Sequence, residues 1–249
     1  MWLVISSSSD PSGIWSWQGL RQMGLAPLEF ITAEGLASGC QWEHRLGSDG
    51  TSLRITLADG RVISSSAVRG VLNRLCAPSS RAFDRAAASD RDYAQSEMYA
   101  FYLSWLHSLP GTVINRPVPS GLSGPWLHPS EWMMRAARAG LRTSVYRQSS
   151  YDGAAATQPG MYLPADPRMM NNVIAFEGEV FGGLIPDSIA QACIRLLEGS
   201  DAAMLGISLC TDDHGRWTFA GATPMPDLRC GGIPLLRHLA QTLVSGGHS

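Results

Sequence analysis

Short apolar runs alternate along this chain with stretches of helical spacing, and that alternation restricts the fold more than any other feature. Trp2-Leu3-Val4-Ile5 stops at a polar cluster, Ser6-Ser7-Ser8-Ser9-Asp10-Pro11. Residues Ile14 to Gly24 then read as a helix whose Gly24 suits a C-terminal cap. Leu28 to Ile31 is a second strand. Residues Ser52 to Leu57 and Arg61 to Ile63 flank Ala58-Asp59-Gly60, a hairpin signal, and Val68 to Arg74 is a further strand with polar residues at its end. Strands interleaved with helices in this way predict an open α/β unit.

A long helix follows, opening at Asp90-Arg91-Asp92 and closing at Pro110-Gly111. Its aromatic residues, Tyr99, Phe101, Tyr102 and Trp105, lie beside no basic groove, so they read as a face packed on a core rather than a base-stacking platform. Val113 to Pro117 is a short strand, and Ser130 is expected to cap a helix running to Gly140. Residues 142 to 172 are irregular. Asn172 to Phe176 and Val180 to Gly182 form a hairpin around Glu177-Gly178-Glu179, and a helix runs from Pro186 to Leu197. Ala203 to Leu209 pairs with Trp217 to Ala220, and Leu235 to Val244 is a last amphipathic helix.

Composition narrows the function. The chain has 249 residues, a net charge of −2 and 16% charged residues, which gives no electrostatic reason to expect nucleic acid or an anionic membrane as partner. No run approaches a membrane span, and the N-terminus lacks the basic region of a signal peptide. Cys40, Cys76, Cys193, Cys210 and Cys230 are widely spaced, so they read as reduced thiols of a cytoplasmic protein with no zinc motif. His44, His107, His128, His214, His238 and His248 are scattered, no GxSxG elbow occurs, and no catalytic or metal-binding residue is assigned. All 19 cationic side chains are arginine; there is no lysine.

Four stretches together resemble the ATP-grasp superfamily. Asn115-Arg116-Pro117, followed by Trp132 to Leu141 with its Ala136-Ala137-Arg138-Ala139-Gly140-Leu141, is similar to the entry into that family's nucleotide-binding region. Val173 to Gly182 is similar to its first hairpin, Leu205 to Leu209 with Asp213 to Phe219 to its metal-binding hairpin, and Leu235 to Val244 to its closing helix. The resemblance implies an N-terminal pre-ATP-grasp-like open sheet over 1–110 and a reduced ATP-grasp-like α+β domain over 111–249. It also implies ATP and magnesium as cofactors and a carboxylate–amine ligase mechanism through an acyl phosphate.

The departures point the other way. Active members hold phosphates with lysines, and magnesium with an acidic residue and a Glu-x-Asn pair. Here Phe219-Ala220-Gly221-Ala222-Thr223-Pro224-Met225-Pro226-Asp227 offers alanine and threonine, and Ser208 stands where an aspartate is common. The central subdomain shrinks to 142–172, with Arg142, Arg147 and Arg168 as its cations. The expectation is an accessory or binding protein of a biosynthetic or peptide-modification pathway, without cofactor and with a protein or peptide partner. The alternative is an active ligase using arginines for phosphate and Asp212, Asp213 or Asp227 for metal. Ligands of open α/β sheets collect at carboxyl strand ends, so Asn73, Arg74, Asn115 and Arg116, with Arg147, are the candidate ligand-binding residues. A third reading is a structural subunit or homo-oligomer held through exposed aromatics such as Trp15, Trp17, Trp126 and Trp132.

Overall fold

The structure is a computed structural model that describes residues 1–48, 50–79, 83–84, 86–144, 146, 170–212 and 214–246. Arg147, Arg168, Asp213, His248 and most of the irregular stretch from 142 to 172 lie outside the described residues. Contacts divide the chain into one unit of Met1–Pro125 with Ile233–Ser249 and a second of Trp126–Gly232. The last helix thus belongs with the first unit.

The first unit is built on a parallel sheet ordered β2-β1-β6-β7, from β1 (Trp2–Ser6), β2 (Leu28–Thr32), β6 (Gly70–Asn73) and β7 (Thr112–Ile114). Parallel neighbours need crossovers. Helix α1 (Pro11–Gln22) connects β1 to β2, and α3 (Ala88–Ser108) lies between β6 and β7. Asp10 caps α1 by accepting from the Ser12 N–H, and Gly24, at φ +88°, closes its other end as expected. Between β2 and β6 come α2 (Ala33–Ala37) and a separate antiparallel sheet ordered β3-β4-β5, from β3 (Gln41–Gly47), β4 (Gly50–Thr56) and β5 (Val62–Ser64). The core joins Leu3, Ile5, Ile55 and Val71 to Tyr102, Trp105 and Leu106 of α3. The aromatic stripe is therefore a packing face.

In the first unit α6 (Gly232–Ser245) packs tightly. The Trp2 indole N–H donates to the Leu243 carbonyl at 3.0 Å, and a Cβ on Gly19 of α1 would stand 2.4 Å from a Leu236 methyl.

The second unit is an antiparallel sheet ordered β11-β10-β8-β9, from β8 (Met170–Phe176), β9 (Glu179–Gly182), β10 (Met204–Thr211) and β11 (Trp217–Thr223). Helices α4 (Pro129–Arg138) and α5 (Asp187–Glu198) cover it, joining Trp132, Ala136, Cys193 and Leu196 to Val173, Leu205 and Phe219. The α4 cap corrects the expectation for Ser130. His128 holds the cap position, its ring nitrogen accepting from the Ser130 N–H, because Pro129 occupies the first helical position. Trp132, expected near a loop, is buried, whereas Trp126 is 53% exposed. Among the described residues, no helix is long and apolar enough to cross a membrane.

Candidate functional site

Two places in the fold concentrate polar residues where the sequence pointed to ligands. The first is the carboxyl end of the parallel sheet. Asn73 ends β6 fully buried, donating to the Asn115 carbonyl at 2.9 Å and the Leu122 carbonyl at 2.6 Å and accepting from the Leu75 N–H at 3.2 Å. Arg74, with a side chain 4% exposed, grips Asp10 through Nε–Oδ2 at 2.7 Å and Nη2–Oδ1 at 3.4 Å. Ser6 donates to the same carboxylate at 2.6 Å. A Cβ on Gly13 would fall 2.5 Å from Ser6 Oγ, so the cluster needs glycine there. Burial alone would raise the Asp10 pKa; the hydrogen bonds from Arg74 and Ser6, with the Arg74 charge, outweigh it and hold the carboxyl below its ordinary value.

Asn115 is buried in a left-handed conformation, φ +58°, which asparagine tolerates better than most residues. Arg116 turns back to the end of α3, donating to the His107 carbonyl at 2.7 Å and the Gly111 carbonyl at 3.0 Å. The His107 carbonyl lies in the last turn of the helix, where carbonyls lack intrahelical partners, and a cation there also suits the helix dipole. The four residues thus share one end of one sheet, and the described hydrogen bonds of Asn73, Arg74 and Arg116 run to the protein itself. The fifth candidate, Arg147, lies outside the described residues.

The second place is a cavity of about 240 Å³ in the second unit, lined by Asn172, Ser208, Thr223, Asp227 and Cys230 among others. Strand pairing sets Ser208 opposite Gly221 on β11 and Asn172 on β8, with a bulge between Ser208 and Leu209. Ser208 donates to Asn172 Oδ1 at 2.7 Å. Thr223 Oγ1 accepts from the Met225 N–H at 3.1 Å, and Pro226 closes against Gly206, where a Cβ would meet it at 2.6 Å. Sequence reasoning placed Ser208, Thr223 and Asp227 here but missed Asn172 as a functional candidate. Its signal was the polar pair Asn171-Asn172 at the head of an otherwise apolar strand.

This donor set does not suit magnesium, a hard ion that takes oxygen ligands and usually carboxylates. Ser208, Gly221 and Thr223 supply none. The nearby carboxylates are engaged elsewhere. Asp227 caps the turn to Arg229 and pairs with its guanidinium at 2.5 Å. Asp212 accepts from the His214 and Arg216 backbones and pairs with Arg216 at 2.7 Å. The two flank opposite ends of the seven-residue β11, about 20 Å of extended chain. Among the described residues no group of three or more His, Cys, Asp or Glu is placed to hold a metal. At Cys230 burial and Asp227 push the thiol pKa up, against the opposing Arg229.

No family model and no curated protein matches the chain. Solved structures do. The macrocyclase MdnC of Microcystis aeruginosa MRC, bound with the precursor peptide MdnA, superposes with a TM-score of 0.70 at 13% identity, covering 98% of this chain and 99% of that one. The ATP-grasp ligase PsnB, complexed with a minimal precursor, Mg and ADP, gives 0.69 at 14% identity over 100% and 98%. The D-cycloserine synthetase DcsG gives 0.53 at 12% identity over 97% and 99%. Parallel and antiparallel sheets in this order, matched end to end by such structures, show that the chain has an ATP-grasp-like fold.

Proposed function

We propose that this protein is an accessory or binding member of a peptide-modification pathway in which the ligase chemistry of the fold has been lost. One observation carries the reading: Ser208 stands on β10 where an aspartate is common, its hydroxyl bonded to Asn172, and β11 ends on Ala222 and Thr223 rather than on carboxylate or amide ligands. A peptide partner is supported by the similar structures solved with precursor peptides. The cytoplasmic setting expected from the cysteines belongs to the same proposal. The active-ligase alternative needs carboxylates that converge, whereas Asp212 and Asp227 flank opposite ends of β11, each tied to its own arginine. Arginines released to bind phosphate would serve it too, but Arg74 and Arg116 have internal partners.

Calorimetric titration with ATP, with and without magnesium, tests the proposal. The expected result is no magnesium-dependent heat and no shift in melting temperature. Micromolar binding that requires magnesium would overturn it and bring the ligase reading forward.

A further inference from the structure

The first unit carries a cleft of about 510 Å³ that none of the preceding chemistry uses. It lies beside the C-terminal turn of α1 and the start of β2, and its walls include Trp17, Arg21, Leu25, Phe30 and Arg61. Its size falls within the range of ligand pockets.

Three features give the cleft a chemical preference. The first is a guanidinium without an acidic partner. Arg61 is neutralised twice, by Glu29 and by Asp59, each at 2.7 Å. Arg21 has no carboxylate among the described residues; its guanidinium sits over the Trp17 ring, 5.7 Å from the centroid. Stacking on an aromatic face leaves the N–H edge of an arginine open for a bidentate carboxylate.

The second feature is the aromatic floor. Trp17 and Phe30 meet at 5.7 Å between centroids. The Trp17 indole N–H is buried with no acceptor among the described residues, a cost that phenylalanine would avoid in a purely structural role.

The third feature is a backbone edge. Among the described residues β2 has a sheet neighbour on one side only. Trp2 stands opposite Leu28, and its N–H bonds to the Pro27 carbonyl at 2.9 Å, so the residues flanking Leu28 face β1. The N–H and C=O groups of Leu28 and Phe30 therefore turn to the open edge.

We infer that this cleft binds an extended peptide that adds to the β2 edge, with an acidic side chain on Arg21 and apolar neighbours against Trp17 and Phe30. Main-chain bonds to an edge supply affinity, and side-chain pockets supply choice. Glu29 beside the site repels a doubly charged phosphate more than a singly charged carboxylate, so the attraction of Arg21 is offset less for the carboxylate. The inference deepens the peptide-partner reading proposed above and stands on the geometry of the first unit alone.

The test is nuclear magnetic resonance of the full chain labelled with ¹⁵N, following the Trp17 indole signal assigned through Trp17→Phe. The probes are two pools of acetylated pentapeptide amides with Val, Ile, Leu or Thr at the outer positions and either Glu or Gln at the centre. The Glu pool is expected to shift the Trp17 signal at submillimolar concentration, with about tenfold weaker binding for the Gln pool or for Arg21→Gln. Arg21 is exposed, so this variant keeps its fold. Inorganic phosphate and acetate, titrated separately, are expected to leave the signal in place below ten times the peptide concentration; an equal response to either would reduce the site to a simple anion site and overturn the peptide. An unmoved Trp17 signal, or equal binding by Arg21→Gln, also overturns the inference. Peptide binding reported by other tryptophans would then leave the accessory reading standing, and magnesium-dependent ATP binding would remove that reading without touching the cleft.

Discussion

The carboxyl end of the parallel sheet and the β10–β11 hairpin invert each other's appearance. The sheet end is crowded with charge and amide groups, yet Asn73, Arg74 and Arg116 direct them at Asp10 and at backbone carbonyls. The hairpin looks bare, with serine opposite glycine, yet it is where a cavity opens. Polar density in a sequence thus measures how much a fold must satisfy internally as well as what it offers to a ligand. Buried polar groups have to be paired, and a long loop running over strand ends needs carbonyl partners.

Substitutions should separate the two regions by the size of their effect on stability. Arg74→Ala leaves the Asp10 carboxylate largely buried without its partner and is expected to cost about 3 to 5 kcal/mol in urea unfolding. A loss under about 1 kcal/mol would show the pair to be dispensable and would reopen Arg74 as a ligand contact. Asn73→Ala removes partners from two buried carbonyls and one N–H and should cost about 2 kcal/mol. Arg116→Ala uncaps α3, for about 1 kcal/mol by the same measurement. Ser208→Ala breaks one exposed bond and should stay within about 0.5 kcal/mol, with the cavity residues still folded. If the Ser208 change proved the larger, the contrast between the regions would collapse.

Acid sharpens the same comparison. Because the Asp10 carboxyl is held below its ordinary pKa in the fold, its contribution is fully present above about pH 4. It is lost as pH falls through the lowered folded value. Melting temperatures measured from pH 6 to pH 2 should therefore decline less steeply for Asp10→Asn than for the parent chain. Equal slopes would mean that other carboxylates dominate the acid limb.

Much of this fold was legible, for a reason visible in particular segments. Trp2–Ser6, Leu28–Thr32 and Gly70–Asn73 are apolar runs with turn-formers beside them, and each became a strand. β3 escaped because Gln41–Gly47 is largely polar and none of its residues is fully buried, and among the described residues it pairs with β4 alone. The His128 cap was missed because Ser130 is the more familiar capping residue, while Pro129 at the first helical position puts the helix start two positions earlier. The site was less legible than the fold. A sequence shows that Arg74 is charged; it does not show that Asp10, more than sixty residues earlier, is waiting to bind it. That Ser208, Ala222 and Thr223 carry no carboxylate could be read directly, because it rests on which atoms are present rather than where they point.

The return of α6 to the first unit bears on how the chain comes off the ribosome. Residues Trp126–Gly232 are contiguous, so the second unit has all of its contacts available once they emerge. The first unit begins earlier but finishes later, because Trp2 waits for the Leu243 carbonyl and Gly19 for the Leu236 side chain. Domains tend to fold as units in the order in which they are made. Here the order is crossed: the half translated first must hold an unfinished surface until everything between has passed.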